Sequence, residues 1–360
     1  MKNIFSLSLI ALLLFGCAGA LMKSDSDDVD LVEIFSTEES ETLDKFKTTE
    51  VEQPKPTPPP FSSSIEEKEI EKVEKKEAKA VAKKPKKVVE APKVKLNPQE
   101  SEDYPNVFLN FDKESKKYWE SYKPIFFVGE EFKYEISWSI FKAGIATIST
   151  QPMAKIGDKD VLHVNALLES AEYFEGIYKL KDTLDVYVDA DKGKFSSLKY
   201  EMKQRESGQI VDDLQLFDHD ELKTYFFYNR LKKGKTKKVK KVEYLPRYFT
   251  DSFSALYFIR GIPMEIGTSF DFPIITRGKA WLLKATVDEI ENITVMGKLY
   301  KAYKITAQTE FPGVLKKSGD INFWISTDES RTVLKFSAKV KIGTVKGELI
   351  SHKAGKDTGK

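Results

Sequence analysis

Phe132, Tyr134, Ile136, Trp138 and Ile140 alternate with Lys133, Glu135, Ser137 and Ser139. This period of two places the apolar side chains on one face of an extended strand and the polar ones on the other. The pattern recurs along the chain. Leu162, Val164, Ala166 and Leu168 make one row, and Tyr178, Leu180, Leu184, Val186 and Val188 another. Leu198, Tyr200 and Met202 follow, then Ile210 to Phe217 and Leu222 to Tyr228. Later rows are Phe270, Phe272, Ile274; Trp281, Leu283, Ala285, Val287; Leu299, Tyr303, Ile305, Ala307; Ile321, Phe323, Ile325; Leu334, Phe336, Ala338, Val340; and Val345 to Ile350. Turns carry Gly, Asp and Lys, as in Gly157-Asp158-Lys159, Asp191-Lys192-Gly193 and Met296-Gly297-Lys298. Strands with one apolar face must pair and bury those faces together. The predicted fold is therefore mainly β, one large antiparallel sheet or open half-barrel, spanning residues 123–350.

One helix is expected inside it. Thr250 or Asp251 can cap its start, Phe253, Leu256, Tyr257 and Ile259 fall near helical spacing, and Arg260 and Gly261 suit its end. A lone helix in such a chain is expected to cover the concave face of the sheet.

The amino terminus carries an address. Lys2 precedes an apolar run from Ile4 to Phe15, and Gly16 and Cys17 follow. A charge, a short apolar run and a small residue make a secretory signal over residues 1–16. The run is shorter than the roughly 20 apolar residues a membrane span needs. Leu14-Phe15-Gly16-Cys17 resembles the lipobox of bacterial lipoproteins, with Phe15 bulkier than usual. The resemblance implies that Cys17 is acylated and becomes the mature amino terminus. Ala18 rather than Asp follows, which under the same resemblance implies the outer membrane, with the domain periplasmic. Cys17 is the only Cys of 360 residues, so the mature chain can form no internal disulfide.

Residues 17–122 read as a mostly disordered tether. Asp25, Asp27, Asp28, Asp30, Glu33, Glu38, Glu39, Glu41 and Asp44 make its first part acidic. Pro54, Pro56, Pro58, Pro59 and Pro60 stiffen the next part, and Glu66 to Lys87 is almost all Glu, Lys, Ala and Val. A transient helix fits Ile65 to Val81. About 100 flexible residues would span roughly 50–60 Å. The Lys83, Lys84, Lys86, Lys87 stretch reads either as solvated spacer or as a contact for anionic polymer or headgroups. Residues 351–360 read as a disordered tail.

Several segments, in order, resemble the domain-of-unknown-function family 3108 of secreted bacterial proteins. They are Tyr134-Glu135-Ile136-Ser137-Trp138 with Lys142-Ala143-Gly144 and Ala146, Asp251 to Arg260, Phe323-Trp324-Ile325-Ser326-Thr327-Asp328 with Arg331, and Lys341 to Val345. The resemblance implies an antiparallel, half-barrel-like fold exported to the envelope. It supplies no catalytic residues.

The residues offer little catalytic chemistry. His163, His219 and His352 are the only histidines, and none falls at ligand spacing. Asp218-His219-Asp220 reads as a polar hairpin turn or a weak cation site, and His163 as a strand side chain. There is no Gly-x-Ser-x-Gly elbow and no Gly-rich phosphate loop after a strand. The chain is accordingly read as non-enzymatic, with no cofactor or metal. Three features stand as binding candidates. Asp251 and Arg260 bracket the helix, as ligand residues or as cap and dipole partner. Trp138, Trp281 and Trp324 line strands, as core or as a surface for acyl chains or sugar faces. Arg230, Lys232, Lys233, Lys235, Lys237 and Lys238, continued by Lys240 and Lys241, surround a hairpin turn at Gly234, and could meet phosphates or acidic glycans. The net charge is only +2, so that basicity is local. Expected partners are the membrane, through Cys17, and an envelope lipid, glycan or protein; nucleic acid is not expected. The alternatives are a structural or assembly factor and an enzyme on cell-wall or polysaccharide substrates.

Overall fold

The computed structural model describes residues 42–50, 97–176, 178–189, 194–311, 314–340 and 343–357. The signal segment, Cys17, the Pro-rich stretch and the Glu/Lys stretch lie outside the described residues. Within them, the alternating rows become strands, and most consecutive strands pair as hairpins. The first half runs β1 (Thr48–Glu50), β2 (Phe127–Val128), β3 (Glu131–Trp138), β4 (Phe141–Thr150), β5 (Ala154–Ile156) and β6 (Lys159–Ser170). It continues through β7 (Lys181–Asp189), β8 (Ser196–Glu206), β9 (Gln209–Asp218), β10 (Lys223–Lys232) and β11 (Lys235–Tyr244). The second half comprises β12 (Thr250–Asp251), β13 (Ser269–Thr276), β14 (Lys279–Val295) and β15 (Lys298–Phe311). After these come β16 (Val314–Ser326), β17 (Val333–Lys339), β18 (Thr344–Lys353) and β19 (Lys356–Asp357).

Strands β3, β4 and β6 to β11 are successive antiparallel neighbours. So are β13 to β18. The halves join where β18 pairs with β3, so the sheet is one open, continuous surface. Among the described strands, β12 alone departs from the antiparallel rule, pairing parallel to β13. Strand ends thus alternate between two rims. The upper rim carries the turns after β3, β6, β8, β10 and β13; the lower rim carries those after β9, β14 and β16.

The sheet curls on itself. The β13–β14 turn reaches the inner face of β9 and β10, where Arg277 meets Asp213 at 3.4 Å and the Gly278 N–H donates to Gln215 Oε1 at 3.4 Å. Tyr134, Ile136, Leu184, Val186, Tyr200, Phe217, Phe272 and Ile305 fill the inner face. Two helices close it: α1 (Asn106–Ser121) and α3 (Ser254–Gly261), while α2 (Glu172–Glu175) sits on the upper rim. The Trp119 ring of α1 lies 4.2 Å from that of Phe258 in α3, and Tyr122 stacks on Phe258 at 5.1 Å. A smaller core covers the outer face, where Phe46 packs with Ile156, Val161, Leu214, Leu216 and Phe227.

Three boundaries differ from expectation. Residues 97–122 belong to the fold and not to the tether. Tyr104, Phe108, Phe111 and Tyr122 are buried along the first helix and its flanks, a helical spacing hidden among charges. Tyr104 Oη donates to the Leu245 carbonyl at 2.9 Å, and Trp119 Nε1 to the Phe195 carbonyl at 2.8 Å. Residues 42–50 are likewise built in, through Phe46 and the β1–β5 pairing. At the other end the chain continues in strand to Lys353, and β19 pairs with β2, so residues 351–357 are part of the structure.

Candidate functional site

Polar residues interrupt the inner face near the upper rim. The registers place them in rows across adjacent strands. One row runs Gln204, Val211, Arg230, Lys237, and the next, nearer the rim, runs Glu206, Gln209, Lys232, Lys235. Asp182 occupies the inner phase of β7, between Leu180 and Leu184. Below these rows come Asp213 beside Tyr228, then Gln215 beside Phe226. The face is graded: carboxyls on β7 and β8, cations on β10 and β11.

The acidic side is buried. Glu206 Oε2 accepts from Tyr178 Oη at 2.6 Å and from Gln209 Nε2 at 2.8 Å. Asp182 Oδ1 accepts the Arg205 N–H at 2.9 Å, while its Oδ2 has no hydrogen-bond partner among the described residues. Burial, and then the nearby Glu206 carboxylate, push the Asp182 carboxyl well above the usual range. Burial thus favours the neutral acid form of Asp182. Burial also raises Asp213 to about 6, against the opposing pull of Arg277.

The basic side is the hairpin foreseen from sequence. Its turn is Lys233-Gly234, both at positive φ (51° and 69°), the backbone that a two-residue hairpin turn needs. Lys232 stands directly opposite Lys235, and Arg230 opposite Lys237, all four on the inner face. Among the described residues no carboxylate lies within ion-pairing distance of any of them. Directly opposed like charges are unfavourable in a sheet. Desolvation and the neighbouring Arg230 lower the Lys232 pKa. Lys233 forms the tip, and Lys238 lies on the outer face opposite Asn229.

The other predicted residues do not join this site. Asp251 is buried at the end of β12. Its Oδ1 accepts the N–H groups of Phe253 and Ser254 at 2.9 and 2.8 Å, and its Oδ2 accepts Ser197 Oγ at 2.7 Å. It caps the entry to α3, as the capping alternative expected. Arg260 is 2% exposed and faces inward. It donates to the carbonyls of Arg331 and Ser330 at 3.0 and 2.9 Å, and pairs with Glu130 at 3.3 Å. Both functional groups are thus taken up by the fold. Trp138 and Trp281 share the inner face, packed against the core. Trp324 projects from the face opposite Phe323, with Nε1 donating to Glu291 Oε2 at 2.7 Å. His219 sits in the β9–β10 turn, hydrogen-bonded to the Ser197 carbonyl and stacked on Phe249. Cys17 is outside the described residues.

Residues 133–350 match the family model described as "Protein of unknown function (DUF3108)". The chain belongs to the DUF3108 family. No curated protein matches the chain. Solved structures similar to this DUF3108 protein include a β-barrel-like DUF1849 protein from Brucella abortus, at 10% identity and TM-score 0.40, covering 64% of this chain and 99% of that one. A second, from Bacteroides fragilis, is described as exported and has a YmcC-like fold (10% identity, TM-score 0.26, 64% and 100% covered). A third, from Parabacteroides distasonis, is described as a lipoprotein (9% identity, TM-score 0.24, 64% and 97% covered). Among the described residues of the DUF3108 chain, no helix is long and apolar enough to cross a membrane.

Proposed function

We propose that this protein is an outer-membrane lipoprotein, held through acylated Cys17, whose periplasmic β domain binds an anionic group of an envelope lipid or glycan. One observation carries the reading: the opposed cations Arg230–Lys237 and Lys232–Lys235 lie on the inner face with no ion pair among the described residues, Glu206 acting on Lys232 only from a distance. Such a cluster is stabilised by a bound anion, and Arg230 supplies a fork matched to phosphate or carboxylate.

Native mass spectrometry of the gently extracted protein tests this. The wild type should carry a co-purifying anionic ligand, and the combined Arg230→Gln, Lys232→Gln, Lys235→Gln, Lys237→Gln variant should lose it. A consistently empty wild type, or a variant still loaded, overturns the reading. The anchor is tested separately: Cys17→Ala should fold normally and leave the membrane fraction, and firm membrane retention would refute lipidation as the attachment.

The Asp182–Glu206 pair favours one second reading, an enzyme on envelope polysaccharide, since a carboxyl whose pKa is raised by burial and by a neighbouring carboxylate suits a general acid. Release of reducing ends from purified polysaccharide, abolished by Asp182→Asn, would support it. No release by the wild type would exclude that activity.

A further inference from the structure

Hairpin tips are normally built from Gly, Asn, Asp and other polar residues. The β3–β4 turn instead consists of Ser139 and Ile140, with Phe141 following at once. Ile140 is 87% exposed and Phe141 53% exposed. Tyr173 of α2 stands beside them, 66% exposed, its hydroxyl donating to the Lys142 carbonyl. These side chains contribute little packing to the fold, and exposed aromatic and aliphatic groups at one apex are where a domain meets another phase.

The antiparallel path from β3 to β10 puts this apex on the same rim as the Lys233-Gly234 turn. The rim carries Lys142, Lys179 and Lys181, each paired with a carboxylate. It also carries Lys232, Lys233, Lys235 and Lys237, for which no ion pair occurs among the described residues. The lower rim has an apolar hairpin too, with Met296 and Leu299 exposed, but there Lys298, Lys301 and Lys304 are matched by Asp288, Glu289 and Glu291, and Lys304 pairs with both glutamates. On the upper rim, the exposed apolar side chains share an edge with the Lys232, Lys233, Lys235 and Lys237 cluster.

We propose that the upper rim docks on a phospholipid bilayer surface bearing anionic headgroups. Ile140 and Phe141 enter the interface, Tyr173 lies at headgroup level, and the β10–β11 turn rests against the lipid phosphates. A protruding apex suits a fluid surface better than a protein groove, and the cations supply the charge complementarity. The rim shares Lys232, Lys235 and Lys237 with the inner-face rows, whereas Ile140, Phe141, Tyr173 and Lys233 lie outside them, so the apolar substitutions below test docking apart from ligand binding in those rows.

The test uses residues 18–360, which retain every described residue and lack the only Cys. A single Ser139→Cys carries an environment-sensitive fluorophore, and a separate Met296→Cys variant reports the lower rim. The probe is vesicles of phosphatidylethanolamine with about one quarter phosphatidylglycerol, against neutral phosphatidylcholine vesicles. The label at 139 should brighten and shift to the blue on the anionic vesicles alone, while the label at 296 stays unchanged. Ile140→Ser with Phe141→Ser should weaken vesicle partitioning by roughly tenfold or more, with the fold retained by circular dichroism, since Phe141 gives up only its stacking on Trp138. Raised salt should weaken it further. No response at 139, a response equal at both rims, or partitioning indifferent to the double substitution would overturn the proposal.

Discussion

Replacing Arg260 by Gln separates a structural from a ligand-binding guanidinium. The side chain links three pieces of the lower rim: helix α3, the Ser330-Arg331 segment and Glu130. Glu130 is itself 1% exposed, and its other oxygen meets His352 Nε2 at 3.2 Å. The guanidinium also lies over the Phe132 and Tyr257 rings, at 5.4 and 5.3 Å. Removing one member of a buried ion pair costs about 3–5 kcal/mol, because the remaining charge stays desolvated. Two carbonyls lose a charged donor, each worth roughly 1.5–3 kcal/mol, partly replaced by water at the rim. These contributions overlap, so a loss of about 4 kcal/mol is expected. For a domain of this size that corresponds to a fall in Tm of about 8–16 °C. Urea unfolding followed by near-ultraviolet circular dichroism measures it. Glu130→Gln added to Arg260→Gln should recover part of the loss, since the orphaned charge is then gone. If Arg260→Gln lost less than about 1 kcal/mol, the internal bonds would carry no weight and Arg260 would be free for a ligand.

Two further outcomes follow from the packing and the charges. The stability difference between the wild type and Asp213→Asn should depend on pH: with its folded pKa raised to about 6, Asp213 stabilises the acid side and loses that advantage as pH rises from about 4 to 6. The loss should be on the order of 3 kcal/mol and level off above pH 6, and a flat difference in paired urea titrations would refute it. Gly347→Ala should destabilise by about 1–3 kcal/mol, because a Cβ there would stand 2.2 Å from the Phe336 ring. Phe336→Leu in the same chain should relieve much of this in thermal melts, and additive losses would show that the two do not touch.

The sheet was legible because its signal is local: each strand alternates, and each hairpin has its own turn residues. Lys233-Gly234 shows this well, since turn chemistry alone places the basic residues on facing strands. The first helix was not legible. Tyr104, Phe108, Phe111 and Tyr122 lie at helical spacing, but Asp103, Asp112, Lys113, Glu114, Lys116 and Lys117 surround them, and charge density masks a single apolar stripe. The acidic half of the candidate site went unnoticed although a signal was present. Asp182, Gln204 and Glu206 occupy the inward phase of otherwise apolar rows, where a polar residue is the exception that needs a reason. Asp251 and Arg260 are the converse. Their recurrence in a recognisable segment suggested a site, but cap and buried ion pair account for the contacts they make.

The segment 42–50 changes how force would travel through the molecule. If Cys17 is the anchor, as proposed, residues 18–41 separate the membrane from the first described residues of the domain, a contour of at most about 85 Å. Residues 51–96 leave from Glu50 and return at Asn97, so both their ends sit on the same folded body. They cannot transmit a pull from the membrane while β1 holds. Under that anchoring, tension would be borne by Leu43 and Phe46 in the outer-face core, by the Lys45–Asp218 ion pair, and by the three residue pairs joining Thr48–Glu50 to Ala154–Ile156. That small contact is a mechanical fuse: once it yields, the leash lengthens by the whole of residues 42–96, and the domain can travel much farther from its membrane while remaining folded.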